Sequence, residues 1–187
     1  MGASLDDAVR ALANGALVAY PTDTLVGLAA RATDRRAIER LARTKRRADR
    51  QPISVAVSSL DEVEPLGRLS PAGRRFVRRR LPGPFTLLLR PSPRARRTLA
   101  PAVAGGRAIG VRVPDHPVAR ALAARAGPIT ATSANRHGAP PARTVAEARA
   151  TFGTEVAVYL DAGPVGSGHP STLVDLTGAI PRAVVRR

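Results

Sequence analysis

The chain has 187 residues, no cysteine and a formal net charge of +16 at pH 7. This length suits one domain with a substantial core over residues 1–187, and the missing cysteine excludes disulfides and thiolate chemistry. No apolar run approaches the roughly 20 residues that span a bilayer. The first ten residues contain two aspartates before any apolar run, which is not typical of a signal peptide. We therefore expect a cytoplasmic protein that does not bind a membrane.

Apolar periodicity and turn signals predict alternating helices and strands in the first half of the chain. Asn14-Gly15 ends the first helix, Pro21 closes the first strand, and Thr33-Asp34 begins a helix that runs to about Arg43. Residues 45–51 are predicted as a polar loop. In chain order, the pattern gives a helix at 5–12, a strand at 16–20, a helix at 34–43, a strand at 53–57, a short helix at 58–66, a helix at 72–81 and a strand at 85–89.

The second half continues the alternation. Residues 91–106 are rich in arginine, proline and alanine and are predicted as a surface excursion with at most one helical turn. Thr144 and Glu147 have the spacing of a capping box, which begins a helix. Because the later strands cluster, we expect an α/β fold with one twisted, mostly mixed sheet flanked by helices. The remaining predictions are strands at 108–113 and 129–132, helices at 116–126 and 144–151, and strands at 156–160, 172–176 and 183–185.

The basic residues are unevenly placed along the chain. No acidic residue lies between Glu64 and Asp115, and twelve arginines fall in that interval. Such a field attracts polyanions, whether a nucleotide, pyrophosphate or RNA, although solubility and arginine-rich coding would also explain most surface arginines. Lys45 is the only lysine. Its ammonium is a compact charge suited to phosphate or carboxylate oxygens, and chance survival at the end of a basic helix is the alternative.

Several common catalytic patterns are absent. No Walker loop surrounds the lysine, and no Gly-x-Gly-x-x-Gly follows a predicted strand. The histidines at positions 116, 137 and 169 lie far apart, and the first and last precede prolines and are predicted as turn residues. Ser133 and His137 are close in sequence, but nothing marks an oriented triad. We therefore expect no metal ligand among the protein side chains.

Small hydroxyls, an amide and cationic groups lie beside the ends of several predicted strands. Each alone has a simpler explanation, because Thr and Ser cap turns, arginine forms surface pairs and asparagine adopts left-handed conformations. Together they suggest a site for a small polar substrate and a phosphorylated one, with catalysis by positioning and charge neutralisation, as in transfer at phosphorus. The candidates are Thr22, Thr24, Lys45, Arg47, Arg112, Ser133, Asn135 and Ser171.

Six short motifs follow one another along almost the whole chain: Tyr-Pro-Thr-Asp-Thr-Leu-Val-Gly-Leu at 20–28, Lys-Arg-Arg at 45–47, Pro-Gly-Pro-Phe-Thr at 82–86, Gly-Val-Arg-Val-Pro at 110–114, Thr-Ser-Ala-Asn at 132–135 and Ser-Thr-Leu-Val-Asp at 171–175. In this order they resemble the YrdC-like family, whose characterised members are threonylcarbamoyl-AMP synthases. The resemblance implies a YrdC-like domain with a central open cleft.

The resemblance also implies a reaction of L-threonine, bicarbonate and ATP. Threonine is carboxylated to a carbamate, whose oxygen displaces pyrophosphate from the α-phosphorus, with Mg²⁺ bound mainly through the phosphates. The product would feed a separate transferase that modifies an adenosine next to the tRNA anticodon.

The same resemblance implies a role for each candidate. The catalytic set is Lys45, Arg47, Ser133 and Asn135, with the lysine holding bicarbonate or phosphate oxygens. The residues implied for ATP are Arg47, Gln51, Ser133 and Arg186. Those implied for L-threonine are Thr22, Thr24, Arg112, the backbone near Ala131, and Ser171, with the arginine pairing with the carboxylate. We expect Lys45→Arg to lower turnover sharply while folding stays intact, because a guanidinium is bulkier and planar.

The chain departs from the family pattern at three places. Ala48 replaces a proline of the Lys-x-Arg-Pro signature, which predicts a mobile loop that orders when ATP binds. Ala56 stands where some members have a histidine, so one threonine contact is expected to be missing. The sequence ends at Arg187 without the family's Pro-Gly, so we expect a short, single-domain form and regard the implied role of Arg186 as open.

Two alternative functions stay open on the sequence alone. One is a basic YrdC-like protein that binds RNA through the arginines at positions 74, 75, 78, 79, 80, 94, 96 and 97. The other is a paralogue that uses the same carbamoyl-adenylate chemistry on another substrate.

Overall fold

The computed structural model describes residues 2–46 and 53–184. Its helices are α1 (Leu5–Ala13), α2 (Arg35–Lys45), α3 (Val63–Leu66), α4 (Pro71–Arg80), α5 (Pro93–Thr98), α6 (Pro101–Ala104), α7 (Pro117–Ala126) and α8 (Val145–Phe152), with 3₁₀ turns at Leu60–Glu62 and Gly153–Glu155. Its strands are β1 (Val18–Tyr20), β2 (Gly27–Ala29), β3 (Val55–Ala56), β4 (Gly67–Arg68), β5 (Phe85–Pro91), β6 (Ile109–Arg112), β7 (Ile129–Thr130), β8 (Thr132–Ser133), β9 (Val158–Tyr159), β10 (Thr172–Asp175) and β11 (Arg182–Val184). No helix within these ranges has the length and apolar character needed to cross a membrane.

Polar residues cap the starts of α1, α2 and α8, and the sequence predicts the caps of α2 and α8. Ser4 and Asp7 form a reciprocal capping box at α1, with backbone-to-side-chain distances of 3.1 and 2.9 Å. Asp34 accepts hydrogen bonds from two backbone amides in the first turn of α2. Thr144 Oγ1 accepts from the amide of Glu147 (3.1 Å), so the predicted start of α8 is confirmed.

The strands of the described ranges form two mixed sheets rather than the one predicted. The smaller sheet has the order β8-β2-β1-β9, and only its β1–β9 pair is parallel. The larger sheet has the order β11-β10-β5-β6-β3-β7, with β4 paired to β5 outside that order. Its β10–β5 and β3–β6 pairs are parallel, and the others are antiparallel. The predicted α/β class with mixed sheets flanked by helices is confirmed.

The two sheets meet at Ala131, where the strand predicted at 129–132 divides. β7 lies in the larger sheet and β8 in the smaller one. Thr130 joins them, because its amide donates to Ala30 O (2.9 Å) and its hydroxyl accepts from Ala30 N (3.0 Å). The Ala131 amide donates to Ser54 O (2.7 Å). This crossing brings the ends of β1, β3, β6 and β8 around one space.

The larger core cluster joins side chains of both sheets to α2, α5, α6 and α8. A second cluster lies under α1 and α7, where Leu12 and Leu122 pack with Val18 of β1. Both clusters consist mainly of Ala, Val, Leu and Ile, which matches a chain with only 3% aromatic residues.

Residues 91–106 do not form the predicted surface excursion. They contain α5 and α6, each with a proline in its first turn, and Ser92 caps α5 by accepting from Ala95 N (3.0 Å). Ala95, Leu99 and Val103 recur every four residues and are buried. The prediction was wrong because the surrounding arginines and prolines conceal this apolar spacing.

Other elements also differ from the predictions. α2 extends to Lys45, which was predicted in a loop, and Arg46 follows it in the left-handed conformation with a φ of 51°. β2 and β4 were not predicted. The strand predicted at 53–57 is shorter, at Val55–Ala56, and the one predicted at 183–185 is observed at Arg182–Val184, with residue 185 outside the described part.

Candidate active site

A cavity of about 260 Å³ lies where the two sheets meet. Ala56, the position noted for its missing histidine, also lines it. The cavity brings the residues predicted for L-threonine together with two of those predicted for catalysis, and the roles themselves stay predictions. The predicted site residues in its wall are Thr22, Thr24, Arg112, Ala131, Ser133, Asn135 and Ser171.

Thr22 and Thr24 hold the turn that follows β1. Thr22 Oγ1 donates to Leu25 O (2.7 Å), accepts from Thr24 N (3.1 Å) and lies 3.0 Å from Thr24 Oγ1. Because the Thr22 proton is used by the carbonyl, the Thr24 hydroxyl is the donor of the pair. Thr24 is only 2% exposed and keeps lone pairs available for a donor group on a ligand.

Arg112, the last residue of β6, forms a buried ion pair with Asp23. Its Nη2 donates to Asp23 Oδ1 at 2.5 Å, and the two side chains are 10% and 11% exposed. Within the described ranges, Arg112 Nε and Asp23 Oδ2 have no hydrogen-bond partner. The pair fixes the guanidinium in the cavity wall, because separating two such buried charges is costly.

Tyr20 and Thr86 are further polar residues of the wall. Burial raises the pKa of Tyr20, so its phenol stays protonated and donates to Thr130 O (3.1 Å). Thr86 Oγ1 lies 2.7 Å from Ser171 Oγ, and this contact links β5 to the residue before β10. The predicted Ser171 is therefore held in place by a buried neighbour.

Lys45 reaches the site from the end of α2 and is only 4% exposed. Its Nζ donates to Ser133 O (2.5 Å), Asn135 O (2.7 Å) and Asn135 Oδ1 (3.2 Å). Ser133 Oγ donates to the same Asn135 Oδ1 at 2.6 Å, which fixes the orientation of the amide. A second cavity of about 120 Å³ adjoins the lysine and shares these two residues with the main cavity. Three of the four predicted catalytic residues thus form one hydrogen-bonded group.

Arg47, Gln51 and Arg186 lie outside the described residues, and so does Ala48 with its predicted mobile loop. Among the described residues, no three His, Cys, Asp or Glu side chains cluster as a metal site would require.

A family model named Sua5_yciO_yrdC, with the description "Telomere recombination", matches residues 10–187. The chain belongs to this family. The threonylcarbamoyl-AMP synthase of Chromohalobacter salexigens is 40% identical to it over 173 residues, which are 91% of each protein.

Solved structures of the Sua5/YciO/YrdC family share the fold. P. abyssi Sua5, complexed with L-threonine, is 29% identical with a TM-score of 0.86 over 98% of this chain. This chain spans 54% of that protein's length. E. coli YciO is 27% identical with a TM-score of 0.83, and the match covers 96% of this chain and 87% of that one.

Three residues that line or support this family member's cavity were assigned no role from the sequence. Asp23 lies inside a recognised motif but was assigned no role, and Thr86 was treated only as part of a motif. His116 was predicted as a turn residue. It directly precedes α7, is 7% exposed, and its Nε2 lies 3.2 Å from Pro164 O. The only sequence feature that could have pointed to His116 was its position four residues after Arg112.

The arginines proposed to follow RNA have partners at two positions. Arg74 Nε donates to Glu64 Oε1 (2.7 Å). Arg96 donates to the backbone oxygens of residues 104–106 at 3.1–3.3 Å, and it thereby caps the end of α6. Direct RNA contact stays a prediction.

Proposed function

We propose that this chain is a threonylcarbamoyl-AMP synthase. It converts L-threonine, bicarbonate and ATP into L-threonylcarbamoyladenylate and pyrophosphate. The observation that carries the proposal is the single cavity in which Thr24 and Arg112 face Ser133 and Asn135, with Lys45 adjoining. Identity of 40% to a named synthase over 91% of the chain supports it.

Arg112 and the hydroxyls of its wall are suited to an amino acid. The guanidinium pairs with the threonine carboxylate, and Asp23 holds it in position for that contact. The Thr24 hydroxyl accepts a hydrogen bond from the substrate, since its own proton is directed to Thr22. Ser171, held by Thr86, supplies another hydroxyl.

Fixed cations are needed because bicarbonate, the threonine carboxylate and the triphosphate are all anionic. Their repulsion is on the order of several kcal/mol at the effective dielectric of a partly buried site. The threonine nitrogen bonds to the bicarbonate carbon with loss of water, which gives a carbamate. A carbamate oxygen then bonds to the α-phosphorus while the bond from that phosphorus to pyrophosphate breaks. Arg112 and Lys45 neutralise charge on either side of this transfer.

The described cavity residues do not fit a protein cage for Mg²⁺. They offer hydroxyls, an amide and backbone oxygens, and the carboxylate beside them, Asp23, is engaged by Arg112. An ion that enters bound to the ATP phosphates needs no such cage, and it neutralises phosphate charge there.

The product is a mixed anhydride, so a transferase that accepts an activated acyl group must consume it. We place that step on a separate transferase acting on tRNA adenosine, in the cytoplasm.

The test is incubation of the protein with ATP, labelled bicarbonate and one amino acid at a time. We expect pyrophosphate release and a labelled adenylate with L-threonine, and much less of both with L-serine or L-valine. Valine replaces the hydroxyl by a methyl group at similar volume, so it reports on the hydroxyl contact directly.

Absence of the adenylate with threonine would contradict the proposal, and tight, salt-sensitive RNA binding by the same protein would support the basic RNA-binding alternative. A labelled adenylate formed equally well with every amino acid would indicate a paralogue with another substrate.

A further inference from the structure

Residues 163–168, here called the strap, run alongside the threonine turn at 22–24. Three backbone amides of the strap donate to three successive carbonyls of the turn. The pairs are Gly166 N to Thr22 O (2.9 Å), Ser167 N to Asp23 O (3.2 Å) and Gly168 N to Thr24 O (2.8 Å). The strap therefore binds the backbone of the residues that carry the candidate threonine contacts.

Glycine allows the strap to lie this close. A Cβ atom on Gly166 would be 2.0 Å from Asp23 O, and backbone atoms cannot yield as a flexible side chain would. Gly163 and Gly168 have φ values of +107° and +71°, a region that strongly favours glycine. A side chain at position 166 would push the strap away from the turn.

His116 holds the other end of the strap. It lies four residues after Arg112, between β6 and α7, and its Nε2 contacts Pro164 O at 3.2 Å. A carbonyl oxygen only accepts, so the proton of this hydrogen bond is on Nε2. Nδ1 is buried and has no hydrogen-bond partner within the described ranges.

These contacts close a ring around the arginine. Arg112 of β6 pairs with the Asp23 side chain, and the Asp23 backbone oxygen accepts a hydrogen bond from the strap. The strap in turn accepts a hydrogen bond from His116, which lies four residues after Arg112. We propose that His116 is a positioning residue for amino-acid binding and acts through the strap on the Asp23–Arg112 pair. This inference rests on the proposed function for the identity of the amino acid.

His116→Ala is the first test, with His169→Ala as its matched control. Each histidine precedes a proline, but the His169 side chain is exposed. We expect His116→Ala to raise the KM for L-threonine about three- to tenfold, the worth of one hydrogen bond, while the KM for ATP stays within about twofold. His169→Ala should leave both unchanged. His116→Gln, which keeps an N–H donor at a similar distance, should restore most of the threonine affinity.

Amide hydrogen exchange at residues 166–168 provides a measurement that does not depend on activity. Exchange of these amides should be about three- to tenfold faster in His116→Ala than in the wild type, and His169→Ala should exchange like the wild type. Gly166→Ala should give the larger effect on both measurements, and if it does not fold, the histidine variants still decide.

The inference is wrong if His116→Ala leaves strap exchange unchanged, or if it raises both KM values equally, since general loosening of the fold would do that. Failure of the proposed function would look different. The wild type would make no adenylate from threonine, while exchange at the strap would still respond to the histidine.

Discussion

The two walls of the main cavity hold their polar groups differently. The wall proposed for threonine, here called the threonine wall, consists of Thr22, Thr24 and Arg112. It is buried, and its groups bond to one another, to Asp23 and to the strap. The wall proposed for the nucleotide, here called the nucleotide wall, consists of Ser133 and Asn135 with Lys45 behind them, and its first two residues are only half-buried. This second wall pairs with β2 through β8, and Lys45 Nζ donates from behind to three of its oxygens.

This difference matches what the two substrates would require. Selecting one small amino acid needs desolvated polar groups with fixed positions, because an analogue that leaves such a group unpaired is rejected strongly. A nucleotide offers far more surface, so a half-open wall with a few fixed contacts can bind it. Selectivity for the amino acid should therefore depend on the first wall, and changes there should cost both stability and threonine affinity.

Arg112→Met gives the largest expected effect. It leaves the Asp23 carboxylate buried without its cation, so the free energy of unfolding should fall by about 3–5 kcal/mol, and threonine use should be lost. Urea unfolding and the adenylate assay measure the two effects. Arg107→Met, the same change at an exposed arginine, is the control and should alter neither.

The double variant Asp23→Leu/Arg112→Met separates the two losses. Replacing both charges of a buried pair by apolar groups is often nearly neutral, so stability should largely return while threonine use stays absent. A loss of less than about 1 kcal/mol in the single variant would mean that solvent screens this pair as it does a surface pair.

Lys45→Arg has the next largest expected effect and tests the nucleotide wall. The planar guanidinium cannot converge on the three oxygens that Nζ reaches, so turnover should fall about a hundredfold. The sequence alone suggested that folding would stay intact. The structure changes this expectation, because half-buried acceptors left without their donor should lower the free energy of unfolding by about 1 kcal/mol.

Arg46→Lys is the matched control, since Arg46 is the exposed neighbour and the exchange is the reverse one. It should leave turnover and stability unchanged. A Lys45→Arg protein with full activity would contradict a special role for the single lysine.

Local sequence signals predicted most of the secondary structure but not β2. Residues 27–29 are all buried, so they lack the alternation that identifies a half-exposed strand. The hydrogen atom of Gly27 faces the Tyr20 ring, since a Cβ there would lie 2.6 Å from Tyr20 Cε1. Only the pairing of β1 with β2 requires that close approach, and pairing is not encoded in periodicity.

The residues that line the candidate site could be predicted from the sequence because they lie near the ends of predicted strands. Polar residues after strands were grouped correctly because strand ends of neighbouring sheets meet in one space. The contacts that hold those residues in position were not predictable from the sequence. Arg112 and Asp23 are 89 positions apart, Thr86 and Ser171 are 85 apart, and His116 and Pro164 are 48 apart. No spacing rule links such pairs, so the supporting residues became visible only in the fold.

The smallest expected effects come from one hydroxyl on each side of the cavity. Thr86→Val keeps the shape of the side chain and removes its contact with Ser171, so the KM for L-threonine should rise about threefold. Ser133→Ala removes a hydroxyl from the nucleotide wall and should raise the KM for ATP by about the same factor. Steady-state kinetics with each substrate varied in turn measures both.

The two variants serve as controls for each other, because each should leave the other substrate's KM unchanged. If Ser133→Ala raised the KM for threonine as much as that for ATP, the walls would not be separate sites for two substrates. The Asn135 amide would be the first place to look, since it accepts from both Ser133 Oγ and Lys45 Nζ and would reorient when one of these donors is lost. Asn135→Asp would test that explanation, because it keeps the oxygen that accepts from the lysine but loses the hydrogen bonds that Asn135 Nδ2 donates to Arg136 O (3.1 Å) and Ala139 O (2.7 Å), so it should hold the lysine in place with lower stability.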